Sequence, residues 1–472
     1  MSLRDRLRML RPAATGRSAP WTDAVPDTKA GGRAAAEGGA APLEPAPGLT
    51  LLPMATPAGT VLHTERLYPP DHIHGRLPLD GPLHVPGRAW RRLLPVVHGF
   101  PMEDAVFVDL ETTGLSRGAG TYAFLIGVGR FAEGRFRLRQ FFLRDFHEEP
   151  AVMAALAAEL ETARALVTFN GRSFDWPLLE TRAAMNRLRL PRLPHLDLLH
   201  PARRLWQAAL PSCSLSSLEE AVLGLHRADD VPGEEIPQRW FDFLETGDAA
   251  PLAAVIVHNR LDILSMAALA GYMGQAAASP LTAAPGGRPL TGAELLAVGR
   301  LLTENARSEE DLREGIACLA EALERDLPAP LRRGCYQALA RALRRAGRAE
   351  EAAAVLKEAA RSDGASPWAH IELAKYYEHR ARDLAAARDW SLEALEVAMR
   401  RRTLGGLRAG QRATSPELRP ADDRGAGVPA SARPASGPAG SRRPRELDVD
   451  GIVYRIRRLE RRLGRERASG GR

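Results

Sequence analysis

The sequence predicts an α/β domain built on a mixed sheet, three antiparallel strands and then β-α-β units flanked by helices, followed by a separate α-helical repeat region. Apolar or alternating runs at 105–110, 122–129 and 136–143 are joined by glycine-containing connections at 114–120 and 132–134, which suit antiparallel neighbours. After Leu143, helix-like and strand-like patterns take turns. From about residue 290 to 399 the spacing of apolar residues is helical almost throughout.

Residues 1–50 are rich in Ala, Gly and Pro without periodic apolar pattern, a composition that favours disorder. Leu, Val, Tyr and His then return, so 51–100 reads as an ordered arm on a domain spanning 101–275. Within that domain, 150–160 has helical spacing, and Glu148 and Glu149 at its start suit the helix dipole. A short apolar strand at 165–169 leads to a helix near 176–188, and 196–199 reads as a last strand. In the helical region, 288–400, Leu339, Ala340, Leu343, Ala352, Leu356 and Ala360 return 34 residues later as Leu373, Ala374, Tyr377, Ala386, Trp390 and Ala394. Small residues at fixed positions let paired helices approach closely, and this period is that of tetratricopeptide repeats. The plainer alternative is a helical bundle in an alanine-rich chain. Residues 401–445 turn to Pro, Gly, Ala and Arg, as a flexible linker does. In 446–467, Ile452, Ile456, Leu459 and Leu463 fall at helical spacing with Arg455, Arg457, Arg458, Arg461, Arg462 and Arg465 around them. That basic amphipathic helix can lie along phosphates or an acidic partner, or pack back on the protein.

The 472 residues carry a formal charge of +7, with 45% apolar residues. Residues 401–472 alone sum to +10, leaving −3 for the first 400, so the basicity belongs to the tail. Lys accounts for only three of the 65 basic residues, a pattern of coding bias rather than of arginine chemistry. Runs of 18 or more uncharged apolar residues are absent, and the basic start, residues 1–11, leads into no apolar core of signal-peptide type. Three widely spaced cysteines, Cys213, Cys318 and Cys335, form neither a disulfide framework nor a zinc motif. A cytoplasmic protein without a membrane partner is expected.

Chemistry is concentrated in three motifs. Val106-Phe107-Val108-Asp109-Leu110-Glu111-Thr112-Thr113-Gly114 puts two carboxylates two residues apart on a strand, hence on one face, where they can converge on a cation. A solvated strand end is the plainer reading. Phe169-Asn170-Gly171-Arg172-Ser173-Phe174-Asp175-Trp176-Pro177 supplies a sharp turn, a Phe174 able to anchor it in the core, and Asp175 at a helix start, where it would serve at the least as a cap. Val257-His258-Asn259-Arg260-Leu261-Asp262 lies in a helical stretch and sets His258 and Asp262 four apart, on one face. By itself that pair is a surface hydrogen bond.

Taken together, Asp109, Glu111, Asp175 and Asp262 give the order D-x-E, D, H-x-x-x-D. This resembles the DEDD superfamily of 3′-to-5′ exonucleases, which have a ribonuclease-H-like fold. The second motif is similar to that of the proofreading domains of family B DNA polymerases. With the repeats, the arrangement resembles a bacterial family of predicted exonucleases joining this domain to tetratricopeptide repeats. The likeness spans about 104–272 and, more loosely, 290–399.

The resemblance implies that Asp109, Glu111, Asp175 and Asp262 bind two divalent ions, Mg²⁺ or Mn²⁺, about 3.5–4 Å apart, with Asp109 bridging them. His258 would be the general base. Histidine-type members place this residue five before the last Asp, whereas here the spacing is four, as in tyrosine-type members. Asp197 is a candidate further metal ligand or supporting acid, or simply a polar strand end. Asn170 and Arg172, with Thr112 and Thr113, are candidates for touching the substrate backbone. The expected activity is 3′-to-5′ hydrolysis of single-stranded DNA or RNA, with a protein partner possible through the repeats. The alternatives are a nucleic-acid-binding or scaffolding protein with a weak or inactive nuclease site, working through its repeats, and a structure-specific endonuclease.

Overall fold

The computed structural model describes residues 41–69, 71–93, 102–114, 120–228, 230–362, 366–413 and 449–469. It divides into two compact units, Met1–Asn305 and Ala306–Arg472. The expected disorder of 1–40, the centre of the glycine-rich connection at 115–119 and most of the linker, 414–448, lie outside the described residues.

The first unit is organised by a sheet. Its strands are β1 (Leu43–Ala46), β2 (Leu49–Thr56), β3 (Gly59–Tyr68), β6 (Ala105–Thr112), β7 (Ala123–Ala132), β8 (Arg135–Phe142), β9 (Ala165–Thr168) and β10 (His195–Asp197), while β4 (Ile73–His74) and β5 (Leu77–Pro78) form a separate hairpin. The sheet order is β1-β2-β3-β8-β7-β6-β9-β10. Strands β6, β7 and β8 are antiparallel neighbours, β9 runs parallel to β6, and β10 parallel to β9. This is the mixed order the sequence predicts. The arm at 51–100 extends it: β3 adds antiparallel to β8, and β2 adds to β3. β1 and the start of β2 fall where composition alone predicts disorder. Leu49 and Leu51 are buried there, and two leucines are enough to hold an edge when a sheet is already waiting.

Helix α1 (Glu149–Glu161) follows β8, α2 (Asp175–Met185) joins β9 to β10, and α3 (Ile236–Thr246) and α4 (Leu252–Ala278) come after the last strand. Pro150 begins α1, where a missing amide hydrogen costs nothing. Among the described residues α4 is the one helix long and apolar enough to cross a membrane; 61% of that stretch is buried inside the protein.

Strand alternation divides the roles of β6. Val106, Val108 and Leu110 enter the main hydrophobic core with Phe124, Leu156 and Trp240. Asp109 and Glu111, of opposite parity, point to the other face. There, Gly127 and Gly129 of β7, opposite Asp109 and Phe107, leave a groove in which α4 lies. A Cβ on Gly127 would come within 2.3 Å of Asn259 Oδ1, and one on Gly129 within 2.5 Å of Ile263. Helix and sheet meet at these two points because nothing but hydrogen projects from the strand.

The second unit is helical: α5 (Glu309–Glu324), α6 (Ala329–Arg345), α7 (Ala349–Ser362), α8 (Trp368–Tyr376), α9 (Leu384–Ala413) and α10 (Val449–Ser469). The preceding helix, Gly292–Glu304, belongs to the first unit. Ala340, Ala353, Leu356 and Leu373 pack together with Ala360, Tyr377 and Trp390 around them, so the residues that repeat every 34 positions are the ones where helices touch. Helix α9 runs on through Ala413, into the stretch whose composition reads as linker.

Overpacking a filled groove typically costs about 1–3 kcal/mol. Gly127→Ala and Gly129→Val are each expected to lower the denaturant midpoint of unfolding accordingly, whereas Gly233→Ala, whose Cβ would meet nothing and whose backbone is not left-handed, leaves the midpoint little changed. Equal midpoints for Gly129→Val and the wild type would show that the groove is not the seat of α4.

Candidate active site

Four carboxylates reach one place from three elements. β6 supplies Asp109 and Glu111 from its last turn of pleat, the β9–α2 connection supplies Asp175, and α4 supplies Asp262. Their proximity is visible in their electrostatics. Burial, then the charges of Asp262, Glu111 and Asp175, push the Asp109 carboxyl well above its ordinary range. Burial and the charges of Asp262, Asp175 and Asp230 do the same to Glu111, against the pull of Arg227. Burial, with Asp197 and Asp262, lifts Asp175 to about 7.

Asn259 holds Asp109. Its Nδ2 donates to Asp109 Oδ2 at 2.8 Å, and its Oδ1 accepts from Gln140 Nε2 at 2.8 Å. Gln140 also donates to the Ile256 carbonyl at 2.8 Å. A fully buried asparagine thus ties α4 to the strand that carries the acids.

Asp197 organises the second motif. This buried carboxylate accepts the backbone amides of Asn170 at 2.8 Å, Arg172 at 3.1 Å and Leu199 at 3.1 Å. Asn170 adopts a left-handed conformation, φ 65°, which asparagine tolerates better than most residues. Gly171 is required by crowding: a Cβ there would sit 2.6 Å from Thr168 and 2.9 Å from Asp175 Oδ2. The result aims Asp175 at the other acids. Phe174 does not anchor this turn in the core; it is 45% exposed, and Leu179 and Ala183 of α2 supply the buried contacts. The tight turn around Gly171 turns the side chain before Asp175 outward.

On the far side of Asp262 stands a second network. Arg227 Nη2 donates to Asp262 Oδ1 at 2.5 Å and to the buried Glu219, and Nη1 lies 3.3 Å from Asp230 Oδ2. Ser265 donates to Glu219, and His74 Nε2, 2.7 Å from Ser265 Oγ, donates to the serine oxygen. His258 Nδ1 lies 2.7 Å from Asp230 Oδ1, which assigns the proton to Nδ1 and leaves Nε2 facing Asp262 Oδ2 at 3.7 Å. The hydrogen bond from His258 and the charge of Arg227 outweigh burial and hold the Asp230 carboxyl below its usual range.

Of the sequence candidates, Asp109, Glu111, Asp175, Asp262 and His258 are therefore neighbours, with Asn170 and Arg172 on the loop before Asp175 and Asp197 at the end of β10 holding that loop. Thr113 braces the end of β6: its amide donates to the Tyr122 carbonyl at 2.9 Å and its hydroxyl accepts the Tyr122 amide at 3.0 Å. Thr112 donates to the Gly114 carbonyl at 3.0 Å. Sequence reasoning passed over Asn259, Glu219, Arg227 and Asp230. A polar residue in the apolar run Val255–Ile263 was a signal for Asn259. The other three sit among short, aperiodic segments that carry none.

Among the described residues no group of three or more His, Cys, Asp or Glu has its donor atoms gathered to hold a metal ion as they stand. Arg227 engages one oxygen of Asp262. The donor chemistry nevertheless fits a hard divalent cation: carboxylate oxygens presented from three separate elements.

With this geometry in place, comparison with known proteins is direct. Residues 106–274 match the RNase_H superfamily, and 333–376 match a tetratricopeptide repeat. The chain is 32% identical over 294 residues to the uncharacterized protein YprB of Bacillus subtilis (strain 168), covering 61% of this chain and 68% of YprB. It belongs to the same family as YprB. In that family setting the RNase_H superfamily domain contains every acid of the cluster, and the repeat match falls on α6, α7 and α8. Membership of the superfamily points to a nucleic-acid-hydrolysing enzyme, and such nucleases generally use divalent metals.

Because Asp175 titrates near 7 in the folded protein and near 3.8 in its ordinary state, the folded protein keeps a proton that the unfolded chain releases. Stability of the cation-stripped protein is therefore expected to fall as pH rises from about 4 to 7, by up to about 3–4 kcal/mol, each pKa unit being worth about 1.4 kcal/mol. Thermal melts in chelator across this range check it; Asp175→Asn makes the dependence shallower, leaving the part due to Asp109 and Glu111, and an unchanged slope in that variant would remove Asp175 as a contributor.

Proposed function

We propose that the chain is a metal-dependent nuclease, a 3′-to-5′ exonuclease acting on single-stranded DNA or RNA. The observation that carries this reading is the convergence of Asp109, Glu111, Asp175 and Asp262 from three elements, where burial and neighbouring negative charge raise the affinity of Asp109, Glu111 and Asp175 for protons. A structural ion-pair network would set cations among these acids; here the single guanidinium of Arg227 meets only the edge of the group. Two divalent ions, Mg²⁺ or Mn²⁺, bound by these four residues would supply charge neutralisation at phosphorus and a more acidic attacking water.

The protein's own residues do the rest. Asn259 fixes the orientation of Asp109. Asp197, through three backbone amides, fixes the loop that presents Asp175. Asp230 holds the proton on His258 Nδ1, so Nε2 is free to accept one from the attacking water. In this arrangement the spacing of four between His258 and Asp262 is no obstacle, because Asp230 rather than the helix register alone sets the ring. Asn170, Arg172 and Thr112, at the rim of the same cluster, are the residues we assign to the substrate backbone. The repeats offer a surface for a protein partner. Arg227's hold on Asp262 favours one second reading, a nucleic-acid-binding or scaffolding protein whose nuclease site is inactive.

Labelled single-stranded DNA and RNA incubated with Mn²⁺ or Mg²⁺ separate the two. The wild type is expected to shorten substrate from the 3′ end and to stall on a blocked 3′ end. Asp109→Ala lowers the rate by at least about 10³-fold. Divalent cation raises the Tm of the wild type, more at pH 8 than at pH 6 because fewer protons must be displaced, and leaves Asp109→Ala unmoved. Equal degradation by both proteins, or none by either with both metals, would leave the scaffolding reading; cleavage of end-blocked substrate would make the enzyme an endonuclease.

A further inference from the structure

The basic helix α10 has three faces with three different fates. Ile452, Ile456 and Leu459 are buried, packing against Ile371 and Ala394 on one side and Leu384 and Ala387 on the other. On the adjoining flank, Arg455, Arg458 and Arg462 all donate to Glu378, whose side chain is 1% exposed. Three guanidiniums around one buried carboxylate lock the helix in rotation as well as position, so the sequence expectation of a helix packed back on the protein describes this part of it.

Opposite the buried face the helix presents Arg457, Arg461 and Arg465, all exposed, with Tyr454 64% exposed at the head of the same row. The steps of three or four residues keep the row on one line, with the arginines at intervals of about 6 Å. Arg461 Nε donates to the Arg457 carbonyl at 3.3 Å; among the described residues none of the three arginines pairs with a carboxylate. Some exposed arginines of this unit are held differently: Arg348, Arg361 and Arg400 are each paired to a glutamate three or four residues away in the chain. What marks the row on α10 is that three arginines with no carboxylate partner among the described residues stand in one line with an exposed aromatic ring.

We infer that this face of α10 is a nucleic-acid-binding surface, gripping the sugar-phosphate backbone of a single strand through Arg457, Arg461 and Arg465, with Tyr454 as a platform for a base. Guanidinium forks match phosphate oxygens in pairs, and an aromatic ring beside a cationic track is the pattern by which single strands are held without regard to sequence. An acidic polypeptide would meet the arginines but would find no use for an exposed ring in their line. The inference builds on the nuclease reading, since it names the part of the chain that holds the polymer, but it is tested by binding alone.

The full chain is used in an Asp109→Ala background in chelator, so that no substrate is consumed. Fluorescence anisotropy with a labelled single-stranded oligonucleotide is followed from 50 to 300 mM salt. Substituting Arg457, Arg461 and Arg465 together by Gln is expected to weaken binding about tenfold or more and to make the slope of log K against log[salt] shallower by about 2, as loss of three phosphate contacts requires for a single strand. The triple Lys variant keeps the slope. Removing the same charge at Arg348, Arg361 and Arg400 changes the slope little, and circular dichroism melts verify that α10 stays folded in every variant. Identical slopes for the row and the control variant, or competition by poly-glutamate as effective as by oligonucleotide, would overturn the proposal. Binding that depends on the row while the nuclease assay is negative would overturn the enzyme reading and leave the surface standing.

Discussion

The first unit depends on a groove made by two missing side chains. Gly127 and Gly129 sit on β7 directly across from the strand that bears Asp109, and α4 uses the space with Asn259 and Ile263, one helical turn apart. That contact sets more than packing. It fixes the rotation of α4, and therefore which way Asp262, three residues on from Asn259, points. Ser265, a further three on, then faces Glu219, and His258 faces Asp230. Shifting α4 by a single residue would turn these side chains by about 100° and dissolve both networks at once. Gln140, on β8, completes the seam by binding the helix carbonyl of Ile256 and the side chain of Asn259 together.

A site built this way is costly by construction. Burying several carboxylates side by side opposes folding, and the protein carries that opposition where it can be relieved by cation or proton. The surrounding structure is correspondingly overdetermined. Asp197 receives three amides, Glu219 receives both Arg227 and Ser265, and the side chain of Asp145 begins the turn that precedes α1 by accepting the His147 amide. Elsewhere the buried pair Arg182–Glu149 joins α2 to α1, with Arg182 lying 3.7 Å over the Tyr122 ring, so the helix that begins at Asp175 is anchored at its far end too. The acids are framed by hydrogen-bonded polar groups, with the buried Nε of Arg227 left without a hydrogen-bond partner among the described residues.

This distribution explains what could be read from sequence. Strands β6 to β8 were legible because apolar runs and turn residues carry their own geometry, and the acids because a D-x-E on a strand and a D at a helix start are local patterns. The repeat was legible because its period is long and its small residues stand where helices touch. Arg227, Asp230 and Glu219 were not, since their roles come from a fold that brings an aperiodic connection against α4. Phe174 was misread for the complementary reason: its apolar character suggested the core, whereas the turn dictated by Gly171 and the Asp197 contacts leaves it outward. β1 shows that composition is a poor guide at a sheet edge, where a ladder of hydrogen bonds can order a segment that two leucines would not order alone.

Charge placement adds a further constraint. A phosphodiester polymer is repelled by a cluster of carboxylates until cations neutralise it, so an acid-rich site contributes little to capturing its polymer from solution. The chain's formal charge is −3 over its first 400 residues and +10 over the last 72. Capture and hydrolysis thus call for opposite electrostatics, and a protein that does both gains by separating them along the chain. Helix α10 meets that need only because its apolar face and Glu378 consume part of its length: a free basic segment would lose conformational entropy with each phosphate contact, whereas arginines displayed from a seated helix are already in line. Glu378, by pairing with three arginines, does for that surface what Gly127 and Gly129 do for the acids: it fixes the rotation of a helix, and with it the set of side chains that face the solvent.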